Sequence, residues 1–178
     1  RISEGAVVVV CAASGVEVGT ELNWNYCEDA KLPRIVFVNK MDRENADFPK
    51  VVDEIRAKFG NKCVPLQVAI GSHTSFEGIV DLLAMKAYVG SGKEPTETEI
   101  PDSVKTYVDS YREMLIESVA EVDDTLIEKY LGGEEITQDE LIQALRVGVA
   151  NGKVFPILAG SALLNVGIGR LMDAIIDY

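Results

Sequence analysis

The sequence predicts an α/β protein: a mostly parallel sheet with helices, carrying an inserted acidic α+β subdomain. Three observations support this. Residues 1–62 and 153–178 alternate short apolar runs with amphipathic helical stretches, the rhythm of parallel strands joined by right-handed crossovers. The middle loses that rhythm, and removing residues 63–152 leaves an ordinary strand–helix series. The charge is also segregated. Glu94 to Glu140 holds fifteen Asp and Glu against three Lys and Arg, whereas the other residues carry fourteen of each sign. The whole net charge of −12 therefore sits in one block, as expected of a separate unit.

Ala6 to Ala12 is continuously apolar, the pattern of a strand covered on both faces. A short helix is expected from about Thr20 to Ala30, ending ahead of Pro33, because the residue before a proline disfavours helical backbone. Arg34 to Val38 is a second buried strand. Asp47 offers an N-cap oxygen, and Pro49 is tolerated in a first turn, where its missing N–H costs little. Val52, Ile55 and Phe59 follow at helical spacing, closed by Gly60-Asn61.

In the middle, Val64 to Ile70 alternates enough for one half-buried strand. Phe76 to Tyr88 mixes a turn with short apolar segments, and Gly90-Ser91-Gly92 is a loop. After Pro101, the residues Val104, Val108, Tyr111, Leu115, Val119 and Val122 form one stripe of a long amphipathic helix. Leu126, Ile127 and Tyr130 add a further turn of helix that stops at Gly132-Gly133. Thr137 to Glu140 is a capping box, opening a helix with Leu141, Ala144, Leu145 and Gly148 facing inward. Val154 to Ala159 is a strand closed by Gly160-Ser161-Ala162. The last helix sets Ile168, Leu171, Met172, Ile175 and Ile176 on one stripe.

At 178 residues and 47% hydrophobic, the chain can bury one good core with a smaller satellite. Its longest apolar run, Ala6 to Ala13, is too short to span a bilayer, and no signal or transit segment is expected. Cys11, Cys27 and Cys63 are odd in number, far apart and without metal-ligand spacing. They read as reduced, buried thiols of a cytoplasmic protein. The acidic block argues against direct docking on nucleic-acid phosphates. It reads either as a solvated helical face or as a docking surface.

The stretch IVFVNKMDR, Ile35 to Arg43, ends a buried strand abruptly in Asn39-Lys40-Met41-Asp42. In a parallel sheet, ligands bind beyond the carboxyl ends of the strands. A second strand ends in Gly160-Ser161-Ala162. An Asp carboxylate accepts two parallel bonds from the ring N–H and amino group of guanine, a pair that adenine lacks. An Asn amide can bond the Hoogsteen edge and tie neighbouring loops together. A Lys stem can lie across the base face. A backbone N–H of the Ser-Ala turn can donate to the guanine carbonyl. The plainer alternative is that Asn39 and Asp42 cap the next helix or shape a turn. An unrelated α/β enzyme with a chance Asn-Lys-x-Asp is another.

IVFVNKMDR resembles the guanine-specificity motif of translational GTPases, most closely bacterial elongation factor G and its paralogues. GAVVVVCAASGV, VPLQVAIG, FEGIVDLLAMKA, EKYLGGEE and GSALLNVGIGRLMDAIIDY agree in order along the chain. The resemblance implies the C-terminal half of a P-loop GTPase-type domain, with residues 63–152 as the G-prime subdomain. It implies that Asn39, Lys40 and Asp42 bind the guanine of GTP or GDP, with Ser161, Ala162 and backbone support from Leu163. The partners it implies are the ribosome and, through the acidic insert, the ribosomal stalk protein.

The pattern GxxxxGK[ST] is absent. Gly92-Lys93 is followed by Glu94 and Gly152-Lys153 by Val154, so neither supplies the hydroxyl that holds magnesium. No Asp-x-x-Gly switch occurs. His73, the single histidine, is expected to be a loop residue. The resemblance thus implies a piece that supplies guanine selection, while Mg2+ is held in the parent protein through residues this piece lacks. The alternative is a protein-interaction module whose insert recruits a partner with or without nucleotide.

Overall fold

A computed structural model describes residues 3–92 and 94–178; Arg1, Ile2 and Lys93, the lysine of the Gly92-Lys93 pair, lie outside the described residues. The first sheet is parallel, in the order β1 (Ala6–Cys11), β2 (Arg34–Asn39), β8 (Phe155–Ala159), β3 (Cys63–Pro65). Its central pairing sets Val36, Phe37 and Val38 against Ile157, Leu158 and Ala159. Helices α1 (Val18–Asp29) and α2 (Phe48–Phe59) link the first strands, and α6 (Ile168–Asp177) follows β8. Asp47 caps α2 by accepting the Lys50 N–H at 3.0 Å, as the sequence indicates.

The second sheet is an antiparallel meander of β4 (Gln67–Ile70), β5 (Gly78–Asp81), β6 (Lys86–Val89) and β7 (Thr96–Thr98). Helices α3 (Lys105–Ala120), α4 (Asp124–Gly132) and α5 (Gln138–Ala150) complete the inserted part. The predicted α3 stripe is real, with Val108, Tyr111, Leu115 and Val119 all buried. These residues belong to one continuous core with Val36 and Val38 of β2, Ile55 of α2, Leu141 and Leu145 of α5, and Ile79 of β5. The insert therefore shares its hydrophobic interior with the parallel sheet.

Three local expectations change. Val64 to Ile70 is not one half-buried strand but two short strands in different sheets, buried throughout. Pro65 has no N–H to donate, which suits the end of an edge strand. Leu66 still donates to the Ile157 carbonyl at 2.9 Å, and the Gln67 side chain then takes over by accepting the Ala159 N–H at 3.1 Å. The expected division between residues 62 and 63 falls just ahead of β3, which pairs with β8.

Next, β1 is covered on one face only. Val7 and Val9 are 37% and 56% exposed. They register with Ile35 and Phe37, the face on which α6 packs. The α6 helix sits over β2 and β8 and does not reach across β1 at the sheet edge. Finally, the α6 stripe is rotated. Ala174 is buried, Leu171 and Ile168 pack partly, and Met172, Ile175 and Ile176 are exposed. The small Ala174 side chain makes the contact, packing with Ile35 and Phe37 of β2 and Leu158 of β8. Among the cysteines, Cys27 and Cys63 are buried but Cys11 is only partly so. Burial pushes the Cys63 thiol up to about 12. Among the described residues, no helix is long and apolar enough to cross a membrane.

Arg34 opens β2 as a buried cation, 3% exposed. It donates to the Trp24 and Leu32 carbonyls at 3.2 and 3.1 Å and pairs with Glu28 at 2.9 Å. Its guanidinium also lies over the Trp24 and Phe155 rings, so its charge is met on every side.

The α4–α5 junction has its own electrostatic clasp. Glu140 closes the predicted capping box with Thr137 and accepts from Lys129 at 2.5 Å. Lys129 and the Thr137 N–H hold the Glu140 carboxyl at about 2, against an ordinary 4.5. A depressed carboxylate pKa stabilises the fold fully above the unfolded value, and that stability is lost as pH falls through the folded value. Glu140→Gln should therefore lower stability at neutral pH and flatten its pH dependence between 4.5 and about 2. Urea denaturation followed by circular dichroism across that window checks this; an unchanged pH profile refutes it.

Candidate functional site

The β2–β8 pairing brings two chain segments to one end of the parallel sheet. Val38 lies beside Ala159, so the loops that follow, Asn39–Asp42 and Gly160–Leu164, emerge side by side. At Lys40 the backbone turns sharply into the left-handed region, φ 66°. The Asn39 side chain supports the turn by accepting the Lys40 N–H at 2.8 Å. The same Oδ1 accepts the Ala162 N–H at 3.0 Å, tying the second loop to the first. Gly160 completes the seam, donating to the Val38 carbonyl at 3.0 Å and accepting from Met41 at 3.2 Å. A Cβ at Gly160 would lie 2.8 Å from the Phe37 ring and 2.6 Å from the Val166 carbonyl, so only glycine permits this approach.

Ser161 is wholly buried. Its hydroxyl donates to Asp42 Oδ1 and accepts the Leu164 N–H at 3.1 Å. Among the described residues, Ser161 is the only hydrogen-bond partner of the Asp42 carboxylate. A carboxylate has about four lone-pair sites, so most of its acceptor capacity remains available. Met41, between the polar residues, is fully buried and anchors the loop in the core. Lys40, Ala162 and Leu163 are exposed.

The profile of the elongation factor Tu GTP binding domain matches residues 1–178. The chain belongs to that family. Its structure also superposes on a crystal structure of a protein from Thermus thermophilus, with a TM-score of 0.89 and 31% identity, covering 98% of this chain and 26% of that one. The chain thus spans about a quarter of the length of that relative.

For a GTP-binding domain of this family, the six residues singled out from sequence fall into one group. Asn39, Asp42, Ser161 and Ala162 are joined by hydrogen bonds, with Lys40 and Leu163 at the rim. One detail differs from the expected chemistry. The Ala162 N–H is directed at Asn39 rather than left open, so Asn39 acts here as the tie between loops. Sequence reasoning missed two supports. Gly160 needed the knowledge that Phe37 packs behind it. His73 lies far away in sequence, yet its N–H donates to the Met41 carbonyl at 2.8 Å.

Ser161→Ala should remove two hydrogen bonds at once, the one that orients Asp42 and the one that accepts the Leu164 N–H. The expected loss of stability is about 1–3 kcal/mol, read by urea denaturation. A change within error would mean that water replaces the hydroxyl.

Proposed function

We propose that this chain is the guanine-recognition portion of a translational GTPase of the elongation factor G type, one that promotes ribosomal movement of tRNA and mRNA in the cytoplasm. Asp42 accepts the guanine ring N–H and amino group, the Lys40 stem covers a base face, and Asn39 holds the loops in register. Ser161 orients Asp42, while the Ala162–Leu163 backbone lines the carbonyl edge. GTP and GDP are the ligands, and Mg2+ is held in the parent protein through other residues. The proposed division is 1–62 with 153–178 for the GTP-binding part and 63–152 for a G-prime insert, with β3 remaining on the parallel sheet. The observation that carries the reading is the cross-link between the two loops, residues 119 apart in sequence, which leaves one carboxylate oriented but largely unsatisfied.

Titration with GDP, followed by backbone amide chemical shifts, tests it. Shifts should concentrate at residues 39–42 and 161–163. Asp42→Asn removes the charge-assisted pair and should weaken GDP at least about tenfold. It should improve binding of the xanthine nucleotide, whose C2 carbonyl accepts from the new amide. If the variant binds GDP as the parent does, the guanine assignment is wrong.

The insert supports a second reading, docking of the ribosomal stalk protein. Glu113, Glu117 and Glu121 are exposed at successive helical turns of α3 and its cap, opposite the buried stripe. Such a ridge favours a basic partner and fast, salt-sensitive association. Reversing all three to Lys should slow association with stalk protein at low salt, with helix content by circular dichroism unchanged. An unchanged rate leaves the ridge as a solvated face.

A further inference from the structure

The Asn39–Asp42 loop is held from two directions by the parallel sheet. A third support comes from the antiparallel sheet, in the turn between β4 and β5. His73 donates its backbone N–H to the Met41 carbonyl at 2.8 Å, and its ring Nδ1 lies 3.3 Å from the Asp42 carbonyl oxygen. With the proton on Nδ1, the imidazole donates to that carbonyl. Two successive carbonyls of the loop are thus engaged by one residue of the insert, the second on the backbone of Asp42, whose carboxylate meets Ser161.

The turn is built to present His73. The residue adopts a left-handed backbone, φ 54°, which is uncommon for a side chain of this size. Ser75 braces it: its hydroxyl donates to the Ser72 carbonyl at 2.7 Å and accepts the Ser72 N–H at 3.2 Å. Gly71 is also left-handed, φ 75°, and a Cβ there would lie 2.0 Å from the Ser75 carbonyl oxygen. Phe76 is buried and fixes the far end of the turn. Local strain held by surrounding bonds marks a segment whose geometry matters for something beyond chain reversal.

We infer that His73 is a positioning residue for Asp42, and that through it the inserted unit sets how sharply the site discriminates guanine. The inference rests on the guanine reading above. Asp42 reads guanine by two parallel bonds, so a small rotation of its backbone weakens the bond to the 2-amino group first. Hypoxanthine lacks that amino group. The ratio of GDP to IDP affinity therefore reports Asp42 alignment, which a merely structural contact would leave alone.

The test uses the whole chain with GDP and IDP, together with amide hydrogen exchange in the absence of nucleotide. His73→Ala keeps the backbone N–H but removes the imidazole. It should reduce the GDP-to-IDP affinity ratio by about fivefold to tenfold, the worth of one aligned hydrogen bond. It should also speed exchange of the Met41 and Arg43 amides, which bond the Gly160 and Lys40 carbonyls. His73→Asn tolerates the left-handed backbone and can donate from its amide, so it should restore part of both effects. Thr74→Ala, at an exposed neighbour in the same turn, should change neither. An unchanged affinity ratio in His73→Ala, with the parent binding GDP selectively, overturns the inference. If the parent does not bind GDP at all, the guanine reading fails separately, and unaltered exchange at Met41 and Arg43 then overturns the support role as well.

Discussion

The pairing of β2 with β8 is the interaction on which the rest depends. It sets Val38 against Ala159, and every contact at the candidate site follows from that register. A slip of one residue would reverse the faces of Ile157, Leu158 and Ala159. It would also carry Ser161 away from Asp42. Both strands are buried on both faces, so the hydrophobic effect acts on either side of the pair and specifies it strongly. The loops beyond can then be polar and strained, because the sheet rather than the loops supplies the stability.

The insert does not hang from this sheet as an independent body. Its α3 packs directly on β3, and the Gln67 side chain continues the hydrogen bonding of β8 where the backbone ladder ends. Gln67 is buried, and its amide oxygen accepts the Ala159 N–H just past Pro65, where the β3–β8 pairing ends and the chain departs into the second sheet. The acidic character is confined to the outer surface. Inside, Leu115, Val119, Leu141 and Leu145 are as buried as any residue of the parallel sheet. This explains how so negative a stretch folds: the carboxylates stay in water, and few need a partner.

Charge within the site is arranged differently. Asp42 is half-buried and meets a neutral hydroxyl rather than a cation. A salt bridge there would satisfy the carboxylate and compete with a ligand, whereas Ser161 orients one oxygen and leaves acceptor sites open. At the opposite end of β2, Arg34 is satisfied completely by carbonyls, a carboxylate and two rings. The same strand therefore begins with a structural ion and leads into an unspent polar group, a contrast that separates the supporting end of the sheet from the end that carries the candidate site.

The sequence by itself determined most elements, since apolar runs, the Asp47 cap, the Thr137–Glu140 box and the α3 stripe are local signals whose physics lies within a few residues. It also singled out Asn39, Asp42 and Ser161, because an amide, a carboxylate and a hydroxyl stand directly after buried strands. Only the tertiary structure decided which faces are covered. Val7, Val9 and Ile176 look identical to core residues in sequence, and their exposure depends on where α6 comes to rest. The division of Val64–Ile70 between two sheets follows from pairing with distant strands, β8 and β5, and carries the long-range Gln67–Ala159 bond, none of which a local pattern encodes. His73 was legible only as a loop residue, because its partners at Met41 and Asp42 are reached through the packing of one sheet on another, a long-range term that periodicity does not contain.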